Sequence, residues 1–473
     1  MRRNAGHRVT AGDAARRRAR RRKQGAVSRI VNGWWTRLIG AVYEGNLTGQ
    51  EAEYQPGETG RDYLWNTVGT GIWGMVFPAL TIVTTQMVGT EQAGMFSMAF
   101  VTGTLLMVVA NYGVRTFQVS DIDDAASFNS YQVQRAATSA LALVAGILYC
   151  TARGYGPNMV ALSMGVYVYK VVDGLADVYE GRLQQADKLY LAGISQAVRS
   201  VAVVAVFSVL VITTRSCAVA AVGMGAAAVA SLALLTCPLA FLETDRSAGW
   251  RASEAGMLFK HCFPLFSTLF LFNLIESMPK FAMEGMLPYD NQLYFNAMFF
   301  PAQGILLTAG FLYKPQLLRL ANIWSNPRRR GRFDLIVLAM LAVISMMTVV
   351  VEVFMGWAGI DLLSFMYGVD FEPYRPLAYA MVAAGGVTAA IDFLYAIVTV
   401  LRHQASATRP YLVAFALSCA VPAGLTWLFG LAGAVAGYLI VMSVLLVLLA
   451  VVYARIRRGM AERERNPFAR VRV

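Results

Sequence analysis

Charged residues are scarce: Asp, Glu, Lys and Arg make up 15% of the 473 residues, where a soluble globular chain carries about 25%. Only three histidines are present, and the five cysteines (Cys150, Cys217, Cys237, Cys262 and Cys419) show no metal-ligand spacing. Of these, Cys150 and Cys217 both fall near the outer face, where a bridge is conceivable, but the expectation is five free thiols. Nucleophile elbow, phosphate-binding loop and metal motif are all missing, so neither a cofactor nor a resident metal is expected. The outer loops are short, the longest running from about Met355 to Pro376. Membrane enzymes carry their chemistry in such loops, so their shortness speaks against an enzyme.

Hydrophobic residues are abundant, at 57% with a mean hydropathy of +0.51. They cluster in blocks of roughly 20, the length a helix needs to cross about 30 Å of hydrocarbon. The fold class expected is all-α, a polytopic membrane protein of about twelve spans, near 64–87, 92–113, 132–152, 157–179, 190–213, 217–241, 259–284, 291–313, 333–356, 377–401, 408–429 and 431–454. One set of connections carries Arg115, Arg182, Lys188, Arg246, Arg251, Arg319, Arg328, Arg329, Arg330, Arg332, Arg402 and Arg409, and the alternate set little beyond Arg153, Arg215 and Arg375. The positive-inside rule then places both termini in the cytoplasm.

The formal net charge of +13 invites a nucleic-acid reading. Much of the excess sits in the tails and inner loops, above all Arg16–Arg22, where attraction to anionic lipid contributes about 1 kcal/mol per basic residue. Anionic membrane lipid is therefore the partner expected for the tails, and nucleic acid is not. Near 26–45, in "AVSRIVNGWWTRLIGAVYEG", Val27, Ile30, Val31, Trp34, Trp35 and Leu38 share one side, as in a helix lying flat in the headgroup layer. The "NLT" at Asn46 is a sequon, without meaning on the cytoplasmic side. The organisation expected is a basic tail over 1–60 including that helix, helices one to six over 61–243, a linker over 244–258, helices seven to twelve over 259–455, and a basic tail over 456–473.

"GMFSMAF" (94–100) and "LYFNAMF" (293–299) both open a second span, aligning Phe96 with Phe295 and Phe100 with Phe299. Six spans followed by six more predict parallel repeats about an axis along the membrane normal. Ionisable groups interrupt the spans in both halves. Lys170, Asp173, Asp177 and Glu180 form one stripe on the fourth, Arg199 reaches the same layer from the fifth, and Glu276, Lys280 and Glu284 follow one another at four-residue spacing on the seventh, with Pro279 beside Lys280. Lys314 and Asp392 complete the set. A charge at a helix centre costs about 2.5–3.5 kcal/mol, so such groups usually face a bundle interior or a water-filled cavity. Two plainer readings stand beside that one: Lys170 with Asp173, and Glu276 with Lys280, could be internal ion pairs, and Asp177, Glu180, Lys314 and Arg402 could snorkel to the headgroups.

Several blocks, in order, resemble the polysaccharide-repeat flippases of the multidrug/oligosaccharidyl-lipid/polysaccharide exporter superfamily. Among them are "RDYLWNTVGTGIWGMVFPALTIVTTQMVGTEQAGMFSMAF", "YKVVDGLADVYEGRLQQADKLYLAGISQAVR" and "PKFAMEGMLPYDNQLYFNAMFFPAQGILLTAGFLYKPQLLRLA". The resemblance covers roughly 60–455 and leaves out the N-terminal tail. It implies a MATE-like fold of two six-helix lobes around a cationic cavity, in a bacterial plasma membrane. The substrate implied is an undecaprenyl-pyrophosphate-linked oligosaccharide, with a polysaccharide polymerase as a partner. Arg61, Arg115, Lys170, Arg199 and Lys280 are then candidates for the phosphate-binding set, and Asp173, Glu276 and Asp392 for a coupling ion. A multidrug/cation antiporter of the same superfamily is the first rival, expected to have an acid-dominated pocket. A membrane polymerase or glycosyltransferase is the second, expected to have large outer loops.

Overall fold

Backbone polar groups inside a bilayer must be bonded within the protein, which restricts spanning structure to helices or closed barrels. The computed structural model describes residues 56–465 except 121–125, 246, 248, 250, 315, 316, 318, 319, 321–323, 325–329 and 402. Among the described residues the regular structure is helical apart from an isolated bridge between Glu284 and Leu287. The basic tail with Arg16–Arg22, the flat helix over 26–45, Asn46, Arg319, Arg402 and the end of the C-terminal tail lie outside them.

The helices run α1 Pro56–Val88, α2 Thr90–Val119, α3 Phe128–Ala152, α4 Pro157–Gln185, α5 Leu189–Thr214 and α6 Cys217–Glu243. After the polar linker come α7 Ala252–Met283, α8 Asp290–Tyr313, α9 Phe333–Tyr367 and α10 Arg375–Val400. The last stretch, Thr408–Arg465, breaks at Gly430, whose φ of 59° and ψ of −135° lie outside the helical region, and its two arms are α11 (408–429) and α12 (431–465). Among the described residues ten helices are long and apolar enough to cross a membrane, against about twelve expected, and the difference lies in two places. The run in α8 is interrupted by Gln292, Asn296, Pro301 and Gln303. The arms of the last stretch form one continuous apolar helix of 51 residues by length alone, yet they fold back on each other: a Cβ on Gly433 would fall 1.9 Å from the Leu425 carbonyl oxygen, and one on Gly437 2.8 Å from the Pro422 Cα.

Helices in lipid associate through close packing, which favours small residues at their contacts. Gly69 of α1 lies against Gly193 of α5, Gly165 of α4 against Ala221 of α6, and Gly385 of α10 against Ala302 of α8. Each half builds its own core. Phe96, Phe207, Tyr169 and Met224 centre the first, and Phe295, Met298, Phe393 and Tyr438 the second. The neighbour pattern repeats: α1 packs on α5 as α7 packs on the α11–α12 hairpin through Phe272 and Tyr411, and α2 packs on α4 as α8 packs on α10. The pairing of α4 with α6 is matched by α10 with α12, where Thr388 bonds Tyr438.

The halves join most firmly between α2 and α8 and between α2 and α7, whereas α1 and α8 barely touch. Gly71 and Gly74 of α1 and Gly304 of α8 have nothing within 4 Å of their Cβ positions. At the end away from the arginine-rich loops the halves are closed. Gly94 fits under the Tyr289 carbonyl, Gln86 donates to Met366 O at 2.6 Å, and Thr81 meets the Tyr367 hydroxyl at 3.3 Å.

These contacts predict opposite effects of added side chains. A Gly165→Leu protein should lose about 1–3 kcal/mol to overpacking against Ala221, whereas Gly304→Ala should match the wild type or gain up to about 1 kcal/mol of helix propensity. Thermal unfolding of the purified protein in detergent measures both.

Candidate functional site

The α4 stripe organises the charged interior. Its residues sit at i, i+3, i+7 and i+10, so Lys170 and Glu180 are about 15 Å apart along the axis at 1.5 Å per residue. Neighbouring helices answer each carboxylate. Arg199 of α5 donates through Nε to Asp173 Oδ1 at 2.7 Å and through Nη1 to Glu180 Oε1 at 2.9 Å. A π-turn at Leu232–Thr236 in α6 brings Thr236 to both Ser195 and Arg199. Arg115 of α2 reaches Asp177 at 2.7 Å and Glu180 at 3.9 Å, while donating also to Gln184. Arg135 of α3, fully buried, closes the ladder at Asp177 Oδ2 at 3.0 Å and donates to the Ala110 carbonyl.

Four cations thus meet three carboxylates, and Lys170 is the surplus. It is 3% exposed and forms no ion pair among the described residues. Its Nζ lies 4.1 Å from the Phe100 ring centroid, 4.8 Å from Trp73 and 5.2 Å from Tyr169, an arrangement that stabilises an ammonium through the ring quadrupoles. The indole of Trp73 donates to Asp173 Oδ2 at 2.8 Å, which fixes the ring that the ammonium faces and joins α1 to the ladder.

In the second half, Lys280 of α7 is also buried and held over rings, 5.2 Å from Phe299 and 5.9 Å from Phe295. Phe100 and Phe299 are the residues that the repeat aligns. Each therefore carries an ammonium, but from helices that do not correspond. Glu276 lies within electrostatic reach of Lys280 and of Asp392, and Asp392 accepts a hydrogen bond from the Tyr313 hydroxyl at 2.5 Å.

The plainer readings of the charges change accordingly. Lys170 is not paired with Asp173, because Arg199 and Trp73 occupy that carboxylate. Glu276 and Lys280 form no salt bridge among the described residues. Neither Glu180 nor Asp177 snorkels: both turn inward, since two guanidiniums are within reach of each. Lys314 is exposed at the end of α8, where snorkelling was expected. Of the phosphate candidates, Lys170 and Lys280 are buried against aromatic rings, Arg115 and Arg199 are engaged by carboxylates, and Arg61 sits near the start of α1 over the Tyr190 ring, 3.6 Å from its centroid. Among the coupling-ion candidates, Asp173 is committed to Arg199, while Glu276 stands near Lys280 and Asp392 near Glu276.

Sequence reasoning missed Arg135, Trp73 and the clamp at the far end. Arg135 sits in the first turns of a span, where a charge reads as a headgroup contact. A tryptophan at mid-span is itself a signal, because the interface is its usual place and its N–H needs a partner. In the clamp, Glu284 at the end of α7 receives Arg153 at 2.8 Å together with the hydroxyls of Tyr149 and Tyr155, beside a cavity of about 590 Å³ lined by Met95, Tyr155 and Tyr289. All five cysteines are free.

The ladder and the surplus ammonium should respond differently to substitution. Arg199→Met strands two buried carboxylates and should destabilise by about 3–5 kcal/mol, most of which the triple variant D173N/E180Q/R199M should recover. Lys170→Met, which removes an unpaired charge, should not lower the melting temperature. Thermal melts of the four proteins in one detergent decide this.

No protein-family model matches the chain, and no curated protein aligns with it significantly. Solved structures do match. A multidrug resistance MATE family transporter of the MOP superfamily in an inward-facing conformation superposes with a TM-score of 0.58 at 12% identity, over 83% of this chain and 98% of that one. A MOP superfamily transporter from Pyrococcus furiosus, whose binding pocket is described as reversed in polarity, gives 0.55 at 14% identity, over 85% and 95%. The Vibrio cholerae MATE transporter VcmN in its bent form gives 0.54 at 13% identity, over 85% and 97%. The chain is a multi-pass helical membrane protein with the MATE-like transporter fold.

Proposed function

We propose that the protein is an exporter that carries an anionic, lipid-linked oligosaccharide across the membrane by alternating access. The observation that carries this reading is Lys170, a buried ammonium held by aromatic rings while every carboxylate of its ladder is matched by a guanidinium. A site of this kind can receive a phosphate without first displacing an acid, and the cost of taking a phosphate out of water demands such a cation. Lys280, over the aligned ring in the other half, offers a second. The weak contact between α1 and α8 supports a route by which a polyprenyl tail stays in lipid while its head group enters between the halves. The closed far end fits a state that loads from the arginine-rich side, which we take as cytoplasmic in a bacterial plasma membrane.

A second reading has its own observation. Glu276 and Asp392 give the described interior of the second half two acids against one lysine, the balance a cation antiporter needs. They would serve equally as coupling-ion sites in a flippase, and the structural neighbours include both multidrug transporters and one with a pocket of reversed polarity.

Reconstitution in proteoliposomes separates the readings. A fluorescent undecaprenyl-pyrophosphate saccharide should cross with no covalent change, and Lys170→Ala should slow it roughly 10- to 100-fold, the equivalent of a charge-assisted bond of about 1.5–3 kcal/mol. Efflux of a cationic dye with no saccharide movement establishes the antiporter instead, and lengthened saccharide establishes a polymerase. Each negative charge carried outward gains about 2.3 kcal/mol per 100 mV of inside-negative potential. An imposed potassium-diffusion potential should therefore accelerate the wild type, and a flat response removes the electrical component.

A further inference from the structure

A cleft lies at the arginine-rich end of the α11–α12 hairpin, in the other half of the fold from the α4 ladder. Its volume is about 510 Å³, within the roughly 300–1,000 Å³ of small-molecule sites. One wall is the stripe Ser406, Arg409, Pro410 and Val413, at helical spacing i, i+3, i+4 and i+7. The facing wall is Leu448, Val452 and Arg455, at i, i+4 and i+7. The two guanidiniums are therefore at the same end, and the apolar side chains continue from them into the membrane. Leu448 is about 10 Å deeper than Arg455 at 1.5 Å per residue.

Neither Arg409 nor Arg455 has an ion-pair partner among the described residues, and no acidic residue lines the cleft. The contrast with Arg457 is informative. Two residues further on and about 200° around the helix, Arg457 is held by Asp334 at 2.5 and 2.8 Å and packs on Trp324. That contact ties α12 to the start of α9 and turns the opposite face of the helix, with Arg455, toward α11.

We infer that this cleft binds an anionic membrane phospholipid, its phosphate between Arg409 and Arg455 and an acyl chain along Val413, Val452 and Leu448. The pair of cations selects a net negative headgroup over a zwitterionic one, and the apolar depth selects a lipid over a soluble anion. The inference holds whichever substrate the interior carries.

Native mass spectrometry of the full-length protein with equimolar phosphatidylglycerol and phosphatidylcholine tests it. Wild type should retain phosphatidylglycerol preferentially. Affinity should fall about fivefold for R409A or R455A and on the order of 25-fold for the pair, at the energy of one basic residue per step. R409K/R455K should retain most of the preference, which separates loss of charge from loss of fold, and R215A at the far end should retain all of it. Millimolar inorganic phosphate or glycerol 3-phosphate should not displace the lipid. Equal retention of the two lipids, an unaltered preference in the double alanine variant, or displacement by the soluble phosphates overturns the assignment.

Discussion

A guanidinium buried between two carboxylates in the middle of a membrane protein is the constraint from which the rest of the first half follows. An isolated charge there is costly, and breaking a buried pair is costlier than never having made it. Arg199 can stay charged only because α4 presents Asp173 and Glu180 seven residues apart on one face. Those acids in turn fix the rotation of α4, the approach of α5, the inward turn of Arg115 and, through Trp73, the position of α1. Small residues at the helix contacts allow this convergence, since Gly69 meets Gly193 and Gly165 meets Ala221 almost backbone to backbone. Packing and electrostatics agree on one arrangement.

Neutralisation within the ladder leaves Lys170 as its one unmatched charge. The aromatic box around its ammonium offers diffuse attraction in place of a carboxylate. Such a cation is held without being neutralised by a carboxylate. A lysine locked to Asp173 would compete with Arg199 and Trp73 for that carboxylate. The sparse contact between α1 and α8 leaves that flank of the interior less tightly packed than the α2–α8 seam.

Much of this was legible in the residues. Span positions followed from apolar blocks of bilayer length, and the α4 stripe from its spacing, so the fold class and the charged face were both open to inspection. The partners were not. Spacing along α4 says which side Asp173, Asp177 and Glu180 share, but not which cations other helices bring, so Arg135 went unread and Lys170 could be paired on paper with Asp173. The number of spans was unsettled for a related reason. Gly430 is one glycine in a long apolar run, and its backbone reversal depends on Gly433 and Gly437 having no side chain to keep the arms apart. The polar residues Gln292 and Asn296 of α8 are buried and bonded to the Lys280 and Gln292 carbonyls, a satisfaction that hydropathy cannot register.

The two ring-held lysines break the symmetry of the repeat. Phe100 and Phe299 are aligned by the short repeat on α2 and α8. The ammonium over each comes from α4 in one half and α7 in the other, positions that the repeat does not relate. The two halves thus set an ammonium over an aligned ring by different routes, so the electrostatics of the interior are not two-fold symmetric even where the helix packing is.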